Sequence, residues 1–278
     1  MSVNRKFLEP LENMIFSILY YSEENVNIYL MYQETELKQD DLKQINDFVA
    51  ETGKGIIYPI KFDTTELSEM PVTDNAGAFF GMEAYSRLYC AFKLPEKVKK
   101  ILYLDADMIC TGSIMELYNT TFEGKTWIAV RDEGIKAKDL ERLKLKLDYK
   151  YINSGMLLIN IEKLRKIHTE KTITDLIKKN KEVLIYPDQD FINKIFVGDI
   201  KIVDKKYNLL AKDIRYKELK EKPLIIHYAG STKPWNEDVS RFEKEYIEPY
   251  YEVLKLQKGK EEQLKYLQKK HEEHGYRK

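Results

Sequence analysis

KKILYLDADMICTG, from Lys99 to Gly112, is a short apolar run that ends abruptly in two acids. Ile101, Leu102, Tyr103 and Leu104 have the continuous hydrophobicity of a strand buried on both faces of a parallel sheet. Side chains along a strand repeat every two residues, so Asp105 and Asp107 leave the chain on one side, just past the strand's carboxyl end. Open α/β sheets bind ligands at that edge. Two converging carboxylates repel unless something positive sits between them, which points to a hard divalent cation that also grips phosphate oxygens. Composition alone yields a D-x-D triplet on the order of once in a chain this long. A second stands at Asp188, Gln189 and Asp190, so neighbouring segments must decide between a metal site and a solvated turn.

Upstream, Phe7, Leu8, Leu11, Met14, Ile15, Ile18 and Leu19 recur at three and four residues, which predicts an amphipathic helix packed on a sheet. A strand over Val26 to Tyr32, a polar helix from Glu36 to Ala50 ended by Gly53, and a second strand, GIIYPIKF, continue the βαβ alternation of an α/β fold. A helix is expected from Asn75 to Leu94, with Pro95 as its breaker. It carries Arg87, placed to clamp a phosphate or carboxylate, to orient Asp105 or Asp107, or to form an ordinary ion pair.

Downstream, Ser113 to Tyr118 reads as one helical turn and WIAVRDEG as a strand. Ile135 to Lys150, rich in Lys, Glu and Asp, reads as an exposed, mobile helical insertion. An Asn-Ser-Gly turn then opens a strand from Met156 to Ile161, with Gly155 permitting close backbone approach to a ligand. Asp188, Gln189 and Asp190 begin a helix with an apolar face of Phe191, Ile192, Ile195 and Phe196, and acids are favoured there for capping alone. A strand from Leu224 to Ile226 ends in His227, followed by Gly230 and Lys233 on a loop. That His is either a satisfied core histidine or a neutral metal ligand beside a phosphate-gripping backbone and ammonium.

The chain has 278 residues, 43% of them hydrophobic, with only 12 Gly and 8 Pro, enough for a large core and little linker. Lys+Arg and Asp+Glu both total 46, so no net charge draws the chain to nucleic acid. Cys90 and Cys110 lie in apolar surroundings without metal-ligand spacing, which fits a reducing compartment. No signal peptide or bilayer-length apolar run is legible, and the expected location is the cytoplasm, at most peripheral on the inner face of the membrane.

Five blocks, YSRLYCAF, ILYLDADMICTGSI, YINSGMLLIN, YPDQDFIN and IIHYAGSTKPW, together resemble the signature segments of family 8 glycosyltransferases, from about Asn4 to Trp235. The resemblance implies a GT-A fold, a Rossmann-like and mostly parallel central sheet flanked by helices. It also implies a retaining, metal-dependent hexosyltransferase that uses UDP-glucose or UDP-galactose and a saccharide or glycoconjugate acceptor, as in lipopolysaccharide and surface-glycan synthesis. On that resemblance Asp105, Asp107 and His227 hold Mn2+ or Mg2+. Asn4, Arg87, Asp105, Ala106, Asn153, Ser154, Gly155, Asp188, Gly230 and Lys233 bind the donor. Gln189 lies beneath the anomeric carbon, and Asp188 and Asp190 are the carboxylates available for catalysis. Rival readings are a non-catalytic nucleotide-sugar-binding or scaffold protein and a sugar-phosphate nucleotidyltransferase, although the latter's Gly-rich basic loop is not visible.

The family opens with a full parallel strand whose acidic turn touches uridine. Here Met1 to Val3 alone precede Asn4 and Arg5, so most of that strand is expected to be truncated or rebuilt, with uridine contacts altered. The expected division is a catalytic domain over 1–235 and a helical tail over 236–278. Within the tail, Val239 to Leu256 forms a helix packed on the domain and Gln257 to Lys278 a solvated, partly frayed one. Its lysines offer at most weak, salt-sensitive contact with an anionic membrane, and removing it is expected to leave hydrolysis largely unchanged.

Overall fold

The computed structural model describes residues 1–63, 82–212 and 215–277. The amino-terminal stripe forms α1 (Leu8–Tyr21), with Leu11, Met14, Ile15, Ile18 and Leu19 buried. β1 (Val26–Tyr32) and β2 (Gly55–Lys61) pair in parallel around α2 (Gln39–Glu51), the crossover that the alternating pattern predicts. Of the expected helix from Asn75, residues 75–81 lie outside those described. The rest is a 3-10 turn, Met82–Tyr85, running into α3 (Ser86–Lys93).

β3 (Lys100–Leu104) and β4 (Met108–Cys110) bracket the two acids. After the turn α4 (Met115–Tyr118) come β5 (Trp127–Arg131), α5 (Ala137–Arg142) and β6 (Ile152–Asn160). The helices α6 (Ile161–Ile167), α7 (Glu170–Asn180) and α8 (Pro187–Ile195) follow, then β7 (Ile200–Val203), β8 (Leu209–Leu210) and β9 (Ile225–His227). The chain closes with α9 (Lys244–Leu256) and α10 (Glu261–His274).

The α/β class holds; β1 and β2 form a parallel pair, while the central sheet is mixed and not mostly parallel. Three of the six pairings among the described strands are antiparallel, including both neighbours of β6 in the central order β3-β6-β5-β7. Among the described strands β3 is therefore at an edge of its sheet. Apolar continuity reports burial and says nothing of direction, so it could not separate the two arrangements. Asn153, Ser154 and Gly155 are also not a turn before a strand, since they lie inside the nine-residue β6. The β5 partners jump there from Leu157, opposite Ala129, to Asn153, opposite Val130. Such a bulge bends the strand and re-aims its side chains.

The segment 135–150 packs against its neighbours. Leu140 and Leu143 form a small core with Tyr151, and Arg142 reaches inward to α8. The tail packs as well. Tyr246, Ile247, Tyr250 and Leu254 of α9 share a core with Tyr228, Phe242 and Leu267 of α10. Buried Asn13 of α1 donates to the Tyr250 hydroxyl at 3.0 Å and accepts from Gln257 at 2.8 Å. His271 is fully buried, between the Tyr251 hydroxyl at 2.6 Å and the Asn236 carbonyl at 2.7 Å, and is not on a frayed end. No helix among the described residues is long and apolar enough to cross a membrane.

Candidate active site

Asp105 and Asp107 occupy the turn between β3 and β4, and His227 ends β9, whose antiparallel register sets it opposite Met108. One ligand atom from each of the three lies within 4.8 Å of the others. Ligands on a single ion with bonds of about 2.1 Å stand roughly 3–4 Å apart, so two carboxylate oxygens and an imidazole nitrogen fit one divalent cation after slight closure. The donor set, two carboxylates and an imidazole with no thiolate, suits a divalent cation. Gly155 makes the approach possible. A Cβ there would fall 2.4 Å from His227 Cε1 and 2.9 Å from Asp105 Oδ2.

Each acid already faces a cation. Arg87 of α3 donates to Asp105 Oδ1 at 2.8 Å, and Tyr103 adds a hydroxyl to the same oxygen at 3.2 Å. Burial pushes the Asp105 carboxyl above its ordinary range, and Asp107 pushes the same way against the pull of Arg87. Lys233 donates to Asp107 Oδ2 at 2.5 Å, while His227 Nε2 stands 3.4 Å from Oδ1. Burial opposes that charge too, but His227 and Lys233 outweigh it and hold the Asp107 carboxyl well below the usual carboxylate range. Lys233 is fixed by a second bond, to the Tyr228 carbonyl at 2.8 Å.

Arg87 is buried and holds a third strand of the site. Its Nη1 donates to the Ser154 carbonyl at 2.6 Å, and its Nε sits 3.1 Å from Asp188 Oδ2. Nε gives its proton to the Ala84 carbonyl, so among the described residues Asp188 Oδ2 is buried with a nearby charge and no directed hydrogen bond. Burial works against the guanidinium's charge, yet Asp105 and Asp188 together keep it protonated. An acceptor oxygen without a donor is suited to a ligand hydroxyl.

Gln189 lies beside β6. Its Oε1 accepts from Asn153 Nδ2 at 2.9 Å and the Ser154 amide at 3.2 Å, while its Nε2 donates to Asp132 Oδ2 at 3.1 Å. Asp190 is turned elsewhere. It is fully buried, accepting from Arg142 at 2.7 Å, Tyr151 at 2.6 Å and the amides of Ile185 and Tyr186 at 2.7 and 2.8 Å. With both oxygens spent it braces α8 and offers nothing to a ligand. Asn4 caps the turn before α1 through Lys6. Ala106 packs in the core beside Val3, and Gly230, at φ +95, opens the loop leading to Lys233.

Two functional neighbours lay beyond sequence reading. Asp132 fixes the amide of Gln189. Asn208 joins the halves of the site, donating to Asn153 Oδ1 at 2.8 Å and meeting His227 Nδ1 through its Oδ1 at 2.9 Å. Because that oxygen can only accept, it selects the Nδ1–H tautomer and leaves Nε2 free to ligate. Neither stands in a distinctive motif, and spacing alone gave no signal.

The lipopolysaccharide 1,2-glucosyltransferase of Escherichia coli (strain K12) is 29% identical over 84% of this chain and 71% of its own length. The lipopolysaccharide 1,3-galactosyltransferase of Salmonella typhimurium is 27% identical over 84% and 71% respectively. Among solved structures, galactosyltransferase LgtC in complex with donor and acceptor sugar analogues superposes with a TM-score of 0.76 at 18% identity, covering 94% of this chain and 98% of that one. That likeness establishes the fold as the GT-A type. The sequence model of glycosyl transferase family 8 matches residues 1–239. With catalysts of this kind across the whole matched length, the scaffold and nucleotidyltransferase readings fall away, and the chain belongs to glycosyl transferase family 8 as an enzyme of that class.

Proposed function

We propose that this enzyme moves glucose or galactose from a UDP-sugar to a hydroxyl of a saccharide or glycoconjugate, with retention of configuration. The observation that carries the proposal is the convergence of Asp105, Asp107 and His227 within 4.8 Å, beside the Arg87, Asp188 and Gln189 network. In this reading Asp105, Asp107 and His227 hold Mn2+ or Mg2+, which when bound neutralises charge on the diphosphate. Lys233, 2.5 Å from Asp107, would pair with the diphosphate. Arg87, Asn153, Ser154, Gly155 and Asp188 orient the sugar, Asp188 through its unspent oxygen. Asn4 and Ala106 border the uridine side, and Gly230 lets the loop close over the phosphates.

Gln189 is a neutral amide whose oxygen already accepts two hydrogen bonds, and Asp190 has no free oxygen. Neither residue is therefore a good nucleophile for a covalent glycosyl-enzyme, which leaves Asp188, with its unspent oxygen, as the carboxylate that would serve in one. The favoured course is front-face exchange. The bond from anomeric carbon to phosphate oxygen breaks, the acceptor oxygen bonds on the same face, and the acceptor's proton passes to the leaving phosphate oxygen. The names of the relatives favour an acceptor in lipopolysaccharide or another surface glycan, made in the cytoplasm or on the membrane's inner face. Contact with an anionic membrane is at most weak, since Lys270 pairs with Glu273 and Arg277 with Glu243. A hydrolysis screen of nucleotide sugars with Mn2+ tests the reading. UDP-glucose or UDP-galactose should be turned over, and turnover confined to other nucleotides would refute it.

A further inference from the structure

Asn236 gathers the loop that carries Lys233. Its amide donates to the Lys233 carbonyl at 3.0 Å and closes the turn Lys233-Pro234-Trp235-Asn236, in which Pro234 takes the second position that its fixed φ favours. Its Nδ2 reaches the Ser231 carbonyl at 3.3 Å. Its own carbonyl accepts from His271 Nε2 of α10 at 2.7 Å. At the other end of the turn the Lys233 ammonium is 2.5 Å from Asp107 Oδ2 and 2.8 Å from the Tyr228 carbonyl. One hydrogen bond thus joins a helix of the tail to the turn that aims a cation at the acid cluster.

His271 is built to make that bond in one way only. It is fully buried, and burial lowers its affinity for a proton, so the ring is neutral and carries a single N–H. The Asn236 carbonyl can only accept, so the proton sits on Nε2. Nδ1 is then the acceptor for the Tyr251 hydroxyl at 2.6 Å, and the Tyr251 ring stacks on the imidazole with centroids 5.7 Å apart. Trp235 also holds the loop, through its contacts with Tyr250 and Phe7. Apolar contact is non-directional and leaves the peptide planes of the turn unfixed. The His271 bond is directional and fixes the last of them.

We propose that His271 is a positioning residue for the transfer reaction: its Nε2–H holds Asn236, and through it the turn that presents the Lys233 ammonium to the acid cluster and the donor's diphosphate. The inference rests on the UDP-sugar reading for what Lys233 binds, and on the fold alone for how the turn is held. A displacement of about 1 Å at a binding group is enough to change affinity and rate, so a bond outside the site carries weight within it. The tail becomes part of the donor site, against the expectation that hydrolysis survives its removal.

Two substitutions separate positioning from stability. The amide of His271→Gln returns an N–H at the reach of Nε2, whereas that of His271→Asn matches Nδ1, keeps to the Tyr251 side and stops short of Asn236. Both should lower Tm. In ligand-free protein, His271→Asn alone is expected to speed hydrogen exchange at the Asn236 amide about tenfold. Calorimetry with UDP and Mn2+ should show an affinity about tenfold weaker for His271→Asn and unchanged for His271→Gln. His271→Leu, which fills the space without a donor, should behave as His271→Asn does and replaces it if that variant does not fold. Equal effects of the Asn and Gln variants, or wild-type exchange at Asn236 in the variants that lack the donor, would overturn the proposal. Wild-type protein that binds no UDP would instead refute the UDP-sugar reading, with the exchange comparison still deciding how the turn is held.

Discussion

Asp107 is the residue on which the site's charges converge, since His227 and Lys233 both reach its carboxylate. Asp107→Ala is predicted to abolish nucleotide-sugar turnover with Mn2+ while the circular dichroism spectrum stays that of the folded chain, because Lys233 can swing to water. Retention of more than a small fraction of activity would remove the residue from the metal site. Asn208 acts at one remove. Asn208→Ala leaves His227 free to choose either tautomer and is predicted to weaken Mn2+ binding roughly 10–100-fold, measured by calorimetry. Unchanged affinity would show that Asn208 only fills space. These two residues also differ in legibility. Asp107 stands in a triplet after an apolar run, whereas Asn208 is a lone amide brought to His227 by the pairing of β8 with β9.

At the level of elements, the same triplet means different things on a strand end and on a helix. Residues two apart leave a strand on one side, but on a helix they stand about 200° apart. Asp105 and Asp107 thus converge, while Asp188 faces Arg87 and Asp190 faces Arg142. The sequence placed both triplets correctly at the ends of their elements and could not tell that one would split. It also assigned β3, β6 and β9 by their apolar runs, yet missed that β6 runs against both its neighbours, because direction is settled by packing far along the chain. The tail is the third such case. Its few apolar groups read as solvated, but Leu267 and His271 are buried and His271 fastens the Asn236 carbonyl, three residues beyond Lys233. Cutting the chain after Gln257 is therefore predicted to cost roughly 3 kcal/mol, from one buried leucine and lost hydrogen bonds. That corresponds to a fall in Tm of roughly 6–12 °C. Unfolding scans showing no change would mean that α10 is held too loosely to matter.

For the whole molecule, the two buried thiols contribute to the response to alkaline pH. Burial pushes Cys90 and Cys110 from 9.0 up to about 12. The folded state therefore binds more protons than the unfolded one between those values, so stability is predicted to fall as pH rises from about 9 toward about 12. Native protein at pH 8 should also resist thiol reagents until it is unfolded. Rapid labelling without unfolding would contradict that packing. The central claim is that the acid and histidine cluster, beside Gln189, supports transfer with retention of configuration, and it is tested most directly by the anomeric configuration of the product. Proton NMR of sugar transferred or released from UDP-glucose or UDP-galactose in Mn2+, with Asp107→Ala as the control, should show the α anomer formed first and nothing from the variant. A β product, or an α product from both proteins alike, would contradict the account.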